Sequence, residues 1–199
     1  MTPAVFLDRD GTMIDDVGYL SRRDDIRWIH GAIDAVAELN RQGFLVCVTT
    51  NQAGIGRGLF TPDVVLAIHA HMAATLEANG ARVDGWFFCP HHPEAVVAPY
   101  RVVCDCRKPA PGMIHQATRR FAIDLTQSFV IGDKPLDMGM AAQAGLRGVL
   151  VRTGYGADAV RTHPDGVPGA TWIAADLKEA SGLLARAVRA NPGSPGRSS

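Results

Sequence analysis

The sequence has no excess of either charge, because its 20 Lys and Arg residues balance its 20 Asp and Glu residues. A protein that holds nucleic acid mainly by electrostatic attraction carries a basic surplus, so this balance argues against nucleic acid as a partner. The sequence also lacks an apolar run near the roughly 20 residues that span a bilayer. We therefore expect no membrane partner.

Cysteine is scarce, with four residues in a chain of 199. Residues 1–3 lead directly into the first apolar run, which predicts no signal peptide and a cytoplasmic location. Thiols stay reduced there, so we expect the cysteines to be free or bound to metal rather than paired in disulfides. Cys47 lies alone in an apolar run and is expected to be a small core residue.

Short β-branched runs alternate with helical patterns along the chain. Strands are predicted at residues 4–7, 44–49, 83–89, 129–131, 148–152 and 170–173. Helices are predicted at residues 31–42, 61–79 (capped by Thr61), 112–121, from 135 onward, and 176–189. This alternation predicts one α/β domain, residues 1–189, with a doubly wound, mostly parallel, Rossmann-like sheet. Residues 190–199, rich in Pro, Gly and Ser, predict a flexible tail.

Two carboxylates follow the first strand directly. Asp8 and Asp10 are one residue apart and point to the same side of an extended chain, where they repel unless a cation lies between them. A hard divalent cation bound by oxygens is the usual solution, and Asp133, which follows another strand, is the natural third ligand. An exposed acidic turn is the alternative, but a buried strand leading into the pair argues against it. Asp137 is expected to cap or brace its loop.

The second strand also ends in polar residues. Thr50 and Asn51 precede a glycine-rich segment, residues 54–58, whose backbone N–H groups can hold a phosphate. Such loops also occur where glycines serve only the turn, so this signal is weak by itself. Residues 15–19 form a polar loop that returns past the acids, and a plain surface loop is an equal alternative there.

Two clusters of soft ligands, separated by a loop, indicate a structural zinc site. Cys89 and His91 form the first pair, and Cys104 and Cys106 the second, with His92 as a competing imidazole. Three buried cysteines near two surface histidines are the alternative, and a redox Cys-x-Cys pair would leave the first cluster unexplained. The cations Arg107 and Lys108 follow directly and are well placed to meet an anion.

All of these motifs follow predicted strands or the loop that carries the two clusters of zinc ligands. In doubly wound sheets, ligands bind outside the carboxyl ends of the strands, so the motifs are expected to converge. D-R-D-G-T, the Thr after the second strand, the Lys ahead of P-x-P-G, and G-D-x-x-x-D resemble the four motifs of the haloacid dehalogenase superfamily of phosphohydrolases.

A narrower resemblance covers residues 5–153. The segments F-L-D-R-D-G-T, T-N-Q-A-G-I-G-R-G, C-P-H-H-P, C-D-C-R-K-P and G-D-K-x-x-D-M are similar to those of the D-glycero-D-manno-heptose 1,7-bisphosphate 7-phosphatases. The phosphatase domain of bifunctional histidine-biosynthesis enzymes looks alike. Pro135 after G-D-K departs from the pattern and should leave the cation ligand intact.

The resemblance implies a mechanism. Asp8 would be the nucleophile that forms an aspartyl-phosphate, and Asp10 the general acid and then base. Mg2+ would be held by Asp8, the main-chain carbonyl of Asp10, and Asp133. The transferring phosphoryl oxygens would be bound by Thr50, Asn51 and Lys108.

It also implies a substrate site without a large cap domain, with the zinc loop as a small fixed wall. Arg107 would reach a second phosphate, and Lys134 would balance the acids. The residues bordering the sugar would be Asp16, Gly18, Tyr19, Gln52 and Ala53. The protein would be a monomer acting on a small phosphorylated sugar, in lipopolysaccharide or nucleotide-heptose synthesis.

Three alternatives stay open. The same chemistry could act on histidinol phosphate. A 3′-phosphatase acting on DNA ends shares the T-N-Q-x-G-I pattern, although the zero net charge disfavours it. A zinc-stabilised phosphate-binding protein without catalysis is the third, although Asp8, Asp10 and Lys108 are all present.

Overall fold

Six parallel strands form the centre of the computed structural model, which describes residues 1–190, with side chains as far as residue 187. Ala190 closes the last helix, and the rest of the predicted flexible tail, residues 191–199, lies outside the described residues. The strands are β1 Thr2–Leu7, β2 Leu45–Asn51, β3 Gly85–Cys89, β4 Ile123–Gly132, β5 Arg147–Val151 and β6 Ala170–Ala174. The helices are α1 Ala32–Arg41, α2 Ala53–Gly56, α3 Pro62–Ala78, α4 Gly112–Arg120, α5 Pro135–Gln143, α6 Gly156–Thr162 and α7 Leu177–Ala190.

The sheet order is β3-β2-β1-β4-β5-β6, with every neighbouring pair parallel. The order reverses at β1, which pairs with β2 on one side and with β4 on the other. Ligands of doubly wound sheets bind beyond the strand ends at this switch point. The polar residues after these three strands therefore share one crevice.

Helices cover both faces of the sheet, as predicted. Along β1, Val5 and Leu7 pack into the core with α1, α3 and α7, whereas Ala4 and Phe6 pack into the core with α4 and α5. The side chains of a strand alternate between faces, so a strand buried on both sides reads as a continuous apolar run. Burial on both faces explains why residues 4–7 of the first strand are all apolar.

Some elements differ from the sequence prediction. Strand β4 begins at Ile123 rather than Phe129, because its polar first half pairs with Thr2 and Pro3. Helix α6 was not predicted, since its seven residues are too few to establish a clear period. Thr61 stands at the start of α3, but its side chain makes no capping hydrogen bond.

The glycine-rich segment 54–58 is partly helical rather than an open loop, because α2 occupies its first half. Its glycines permit close packing: a Cβ on Gly54 would lie 2.4 Å from the Phe60 ring, and one on Gly56 would lie 2.9 Å from Ala95. The glycines therefore dock the segment against its surroundings, including the loop after β3.

The longest connections between elements within residues 1–190 are 8–31 and 90–111, so this part of the chain contains no large cap domain. The second connection holds a single 3-10 turn and lies against α2, where the amide of Val97 donates to the carbonyl of Gly56. Among the helices of the described residues, none has the length and apolar character required to cross a membrane.

Candidate active site

A cavity of about 180 Å³ opens where β1, β2 and β4 end. The three strand ends contribute acids, a hydroxyl and an amide, and the loop before α4 contributes two cations. The residues that line the cavity are Asp8, Asp10, Thr50, Asn51, Ala53, Arg107, Lys108, Lys134 and Leu136. Of these, only Leu136 was absent from the sequence prediction.

Lys108 is buried at the base of the cavity and uses all three of its protons. Its Nζ donates to Asp8 Oδ1 at 2.6 Å, to Asp137 Oδ1 at 2.5 Å and to the carbonyl of Thr49 at 2.9 Å. Burial alone would lower the pKa of Lys108, but Asp137 and Asp8 raise it to about 12. The lysine is therefore charged and fixes one oxygen of Asp8.

Asp133 lies beside Asp8 with no solvent exposure. Its Oδ2 accepts a hydrogen bond from the amide of Tyr155 at 2.8 Å, whereas its buried Oδ1 has no partner. Burial and the charge of Asp8 raise the pKa of Asp133 to about 8. Burial likewise raises the pKa of Asp8, although Lys108 opposes this effect.

Three acids, Asp8, Asp133 and Asp137, each offer a carboxylate oxygen within 4.8 Å of the others. A buried, unpartnered oxygen beside a second acid is costly unless a cation or a proton compensates it. The set consists entirely of hard oxygens, which suits Mg2+. Asp137 is already engaged, because it also accepts from the amide of Lys134 and closes the first turn of α5, as predicted.

The Asp10 carboxylate lies outside this acid cluster. Nitrogens of the Arg9 guanidinium lie 2.9–3.2 Å from its two oxygens. Its Oδ2 also accepts hydrogen bonds from Gln52 Nε2 at 3.1 Å and from Thr50 Oγ1 at 3.3 Å. The Arg9 side chain is 1% exposed. The sequence interpretation gave this arginine no role, because alternation places it on the opposite side of the chain from its neighbours.

Two further polar residues of the prediction are engaged with protein atoms. The amide of Asn51 contacts the backbone of Lys108 twice, accepting from its N–H at 3.0 Å and donating to its carbonyl at 3.2 Å. Lys134 Nζ donates to Asp16 at 2.7 Å and lies 4.7 Å from the ring centroid of Tyr155. Asn51 therefore places the lysine loop, and Asp16 restrains a cation at the cavity.

The remaining predicted residues lie around rather than within the cavity. Gln52 is buried and donates to the carboxylate of Asp10. Tyr19 is half exposed, and the amide of Gly18 donates to Asp16 at 2.8 Å. The structure thus brings eight of the predicted catalytic and substrate-binding residues together at the cavity wall. The predicted residues that lie behind or beside the cavity are Asp16, Gly18, Tyr19, Gln52 and the metal ligand Asp133.

The sequence interpretation missed the loop that follows β5. Thr153 Oγ1 donates a hydrogen bond to the carbonyl of Gly11 at 2.7 Å. Two residues later, the backbone amide of Tyr155 donates a hydrogen bond to Asp133 Oδ2. Between them, Gly154 has φ +53°, and a Cβ there would lie 2.2 Å from Asp133 Oδ2. A glycine three residues after a strand that ends at the same edge of the sheet as Asp133 was the only available signal.

A second cluster joins Cys89, His91, Cys104 and Cys106 within 4.8 Å. The Sγ–Sγ distances are 3.2–3.6 Å, and His91 Nδ1 lies 3.3 Å from Cys106 Sγ. Ligands around zinc at about 2.3 Å from sulfur span tetrahedral edges of roughly 3.8 Å, so the cluster fits that ion after a small expansion. The shared hydrogen bond with Cys89 lowers the pKa of Cys106 to about 5 and raises that of Cys89.

The competing His92 is not part of this cluster; its Nδ1 accepts from the amide of Glu94 at 3.1 Å. Arg107 donates to the carbonyl of His91 at 3.1 Å, which ties the cation at the cavity wall to the cysteine cluster. The fourth cysteine, Cys47, is a buried residue of the core under α4, as predicted. The segment that carries the cysteine cluster is therefore linked to one wall of the cavity through Arg107.

Comparisons with known proteins agree with this geometry. A polynucleotide kinase 3 phosphatase family model matches residues 4–142, and a HAD-hydrolase-like model matches residues 105–180. The D-glycero-β-D-manno-heptose-1,7-bisphosphate 7-phosphatase of Yersinia pestis is 42% identical over 190 residues, covering 94% of this chain and 96% of its own. The Escherichia coli protein of the same name is 43% identical over 183 residues, covering 89% and 93%.

Solved structures give the same result. The D,D-heptose 1,7-bisphosphate phosphatase of B. bronchiseptica, complexed with magnesium and phosphate, has a TM-score of 0.82 at 34% identity and covers 93% of this chain and 99% of its own. The corresponding Burkholderia thailandensis structure has a TM-score of 0.67 at 32% identity, covering 92% and 97%. The chain therefore belongs to the HAD-like phosphatases and, among them, to the family of the D-glycero-β-D-manno-heptose-1,7-bisphosphate 7-phosphatases.

Proposed function

We propose that the chain is a Mg2+-dependent phosphomonoester hydrolase that removes the 7-phosphate of D-glycero-β-D-manno-heptose 1,7-bisphosphate. The observation that carries the proposal is the convergence of Asp8, Asp10 and Asp133 beside one cavity, with Asp133 Oδ1 buried and unpartnered. The names of the similar proteins supply the substrate. The unpaired thiols support a reducing, cytoplasmic location, and we expect a monomer built from one domain, residues 1–189.

Asp8, the carbonyl of Asp10, and Asp133 would hold the magnesium ion. The fit rests on the unpartnered Oδ1 of Asp133 and on a set of ligands made only of oxygens. It also rests on the raised pKa of Asp133, which a nearby cation would lower again. When bound, Mg2+ would neutralise the charge of Asp8 so that the carboxylate can approach a phosphate. The magnesium in the B. bronchiseptica structure supports this assignment.

The protein groups then carry the reaction in two steps. An oxygen of Asp8 attacks phosphorus to form the aspartyl-phosphate, and Asp10 gives a proton to the departing sugar alkoxide. Asp10 next takes a proton from water, which attacks the same phosphorus and releases phosphate and free Asp8. Lys108 orients Asp8 throughout. Because its three protons are already donated to protein acceptors, it would bind the phosphoryl oxygens, together with Thr50, by exchanging one of those acceptors for the substrate.

The rest of the substrate would lie along the cavity wall. Arg107 is fixed by its bond to the carbonyl of His91 and would bind the second phosphate. The positioned ammonium of Lys134 would add positive charge near the acids. The sugar would be bordered by Asp16, Gly18, Tyr19, Gln52 and Ala53, whereas Asn51 is assigned with Thr50 and Lys108 to the phosphoryl oxygens.

The direct test is a panel of phosphate esters assayed with Mg2+. We expect the fastest release from the heptose bisphosphate, assayed as both anomers, and slow release from histidinol phosphate and from a 3′-phosphorylated DNA end. The DNA end is the second candidate substrate, because the polynucleotide kinase 3 phosphatase family model matches this chain. Negligible release from the heptose with fast release elsewhere would reject the substrate. No release from any ester would favour a phosphate-binding protein.

The geometry around Asp133 predicts the effect of replacing Gly154 with alanine. The new Cβ would lie 2.2 Å from Asp133 Oδ2 and 2.6 Å from Gly11 Cα, so the acid must move. Changes in the groups that orient metal ligands weaken binding about 10–100-fold, and we expect a loss of Mg2+ affinity in that range by calorimetry. Gly145→Ala is the matched control, because Gly145 also has positive φ, +70°, but no atom within 4 Å of its Cβ position. Equal affinities in the two variants would contradict the account.

The cysteine cluster predicts about one tightly bound zinc ion per chain. Chelating it, or replacing Cys104 with serine, should loosen residues 89–106 and lower activity even with excess Mg2+, because Arg107 loses its anchor on His91. Elemental analysis and proteolysis of the loop measure both effects. Cys47→Ala removes a thiol outside the cluster and should leave the zinc content unchanged. Reductively purified protein without zinc would reject the site.

A further inference from the structure

A buried histidine lies directly behind the Arg9–Asp10 pair and has no part in the mechanism above. His69, on α3, is 3% exposed, and its Nε2 lies 3.3 Å from Arg9 Nη1. Its ring stacks on Trp86 at a centroid distance of 4.7 Å and meets the edge of Phe88 at 6.0 Å. Both aromatic residues belong to β3, so the ring is clamped between a helix and the sheet.

The chemistry of the contact fixes the state of the ring. Arginine has only donors, so His69 Nε2 must be the acceptor, and the ring is neutral with its proton on Nδ1. Burial and the neighbouring Arg9 charge lower the pKa of His69 to about 3, which agrees with a neutral ring. Nδ1 is buried without a hydrogen-bond partner. A purely structural core position would favour an apolar side chain, since an unpaired buried N–H costs free energy.

Arg9 connects this ring to the reacting groups. Its Nε and Nη2 face both oxygens of Asp10, while Nη1 faces His69, so the two contacts define the plane of the guanidinium. The arginine is 1% exposed, and water cannot replace a lost partner on Nη1. The orientation of the Asp10 carboxylate is thereby set partly by a residue on α3.

We propose that His69 is a positioning residue that acts through Arg9 to orient Asp10 for proton transfer to the leaving group. This inference rests on the proposed function, in which Asp10 is the general acid. A rotated Arg9 would turn Asp10 away from the leaving oxygen without removing Asp8, Lys108 or the magnesium site. The loss should therefore depend on how much the leaving group needs a proton.

The experiment compares kcat/KM for the heptose bisphosphate, whose alkoxide leaving group needs a proton, with that for p-nitrophenyl phosphate, whose leaving group departs as a stable anion. We expect kcat/KM of His69→Leu to fall about tenfold to 100-fold for the sugar ester, which is part of the rate enhancement that a general acid supplies. For the aryl ester we expect kcat/KM to fall less than about threefold. His69→Gln offers Arg9 an amide oxygen and should recover most of the sugar activity.

His71→Leu is the matched control, because His71 is exposed on the same helix and should change neither rate. Thermal unfolding of each variant confirms that the folded fraction is equal, and His69→Gln keeps the test valid if His69→Leu fails to fold. Equal losses on both esters, or no recovery by glutamine, would overturn the inference alone. A wild-type protein that cleaves neither ester would overturn the proposed function and the inference with it.

Discussion

Replacing Asp8 with asparagine should abolish turnover while leaving the protein folded. The amide cannot attack phosphorus, and loss of a nucleophile reduces kcat on the order of 10⁴-fold or more. Acid quenching with radiolabelled substrate should trap phosphate on Asp8 in the wild type and none in the variant. Label on any other residue would reject the mechanism.

The same variant should not lose stability in metal-free solution. Burial raises the pKa of Asp8 above its unfolded value, so the ionised acid disfavours the folded state as the pH rises through the folded pKa. Asparagine removes that charge, and its amide oxygen can still accept from Lys108. Thermal unfolding at pH 7 should therefore give a midpoint at least equal to that of the wild type. A lower midpoint would show that the Asp8–Lys108 pair is worth more than its burial costs.

Asp10→Asn is the comparison that separates the enzyme from a binding protein. It keeps Asp8, so an aryl phosphate can still form the phosphoenzyme, but the second step lacks its base and turnover should fall about 10²–10⁴-fold. Fold and phosphate affinity should be retained, because the amide oxygen of the new side chain can still accept from Arg9 and Gln52. Accumulated phosphoenzyme in this variant would exclude a non-catalytic protein, whereas wild-type protein without turnover would support one.

The strand ends were predictable because each is a buried apolar run that stops at a polar residue. Asp8, Thr50 and Asp133 follow such runs, and parallel topology brings them to one edge without further information. The cysteine cluster was predictable from spacing alone, and the structure selects His91 over His92. These are the features in which local sequence determines the position of a side chain.

The unpredicted features all depend on contacts between distant segments. The guanidinium of Arg9 meets His69, which lies 60 positions away in the chain. Gly154 orients Asp133 only because the β5 loop folds over Gly11. The polar first half of β4 becomes a strand because it pairs with the start of β1, which its own pattern does not reveal. A single sequence contains no signal for such pairings beyond residue type.

The burial of Lys108 was also invisible in the sequence, where R-K-P-A-P-G resembles an exposed basic loop. In the structure its Nζ lies between two buried acids and the carbonyl of Thr49, and its side chain is 1% exposed. Its pKa is raised to about 12, so its contribution to stability is complete below the unfolded pKa of 10.5 and disappears only as the pH rises through 12. At pH 7 the full contribution is present.

Lys108→Met should therefore be the most destabilising single change at the site. It leaves Asp8 and Asp137 buried without a counter-charge, and breaking a buried pair by removing one partner costs about 3–5 kcal/mol. Activity should fall below detection, since Asp8 loses the group that orients it. Urea unfolding at pH 7 measures the free energy, and the deficit should shrink as the pH is lowered, because burial raises the pKa of Asp8 and a protonated Asp8 needs no counter-charge.

Lys134→Met is the matched control for that experiment. Lys134 also pairs with an acid at the cavity, Asp16, but its side chain is 28% exposed and has a single carboxylate partner. Solvent reaches this pair more than it reaches the Lys108 pairs, so its removal should cost less than the removal of Lys108. Equal stability losses in the two variants would mean that burial does not distinguish the lysines. A loss confined to Lys108→Met would show that the fold depends on this lysine as the counter-charge of the two buried acids.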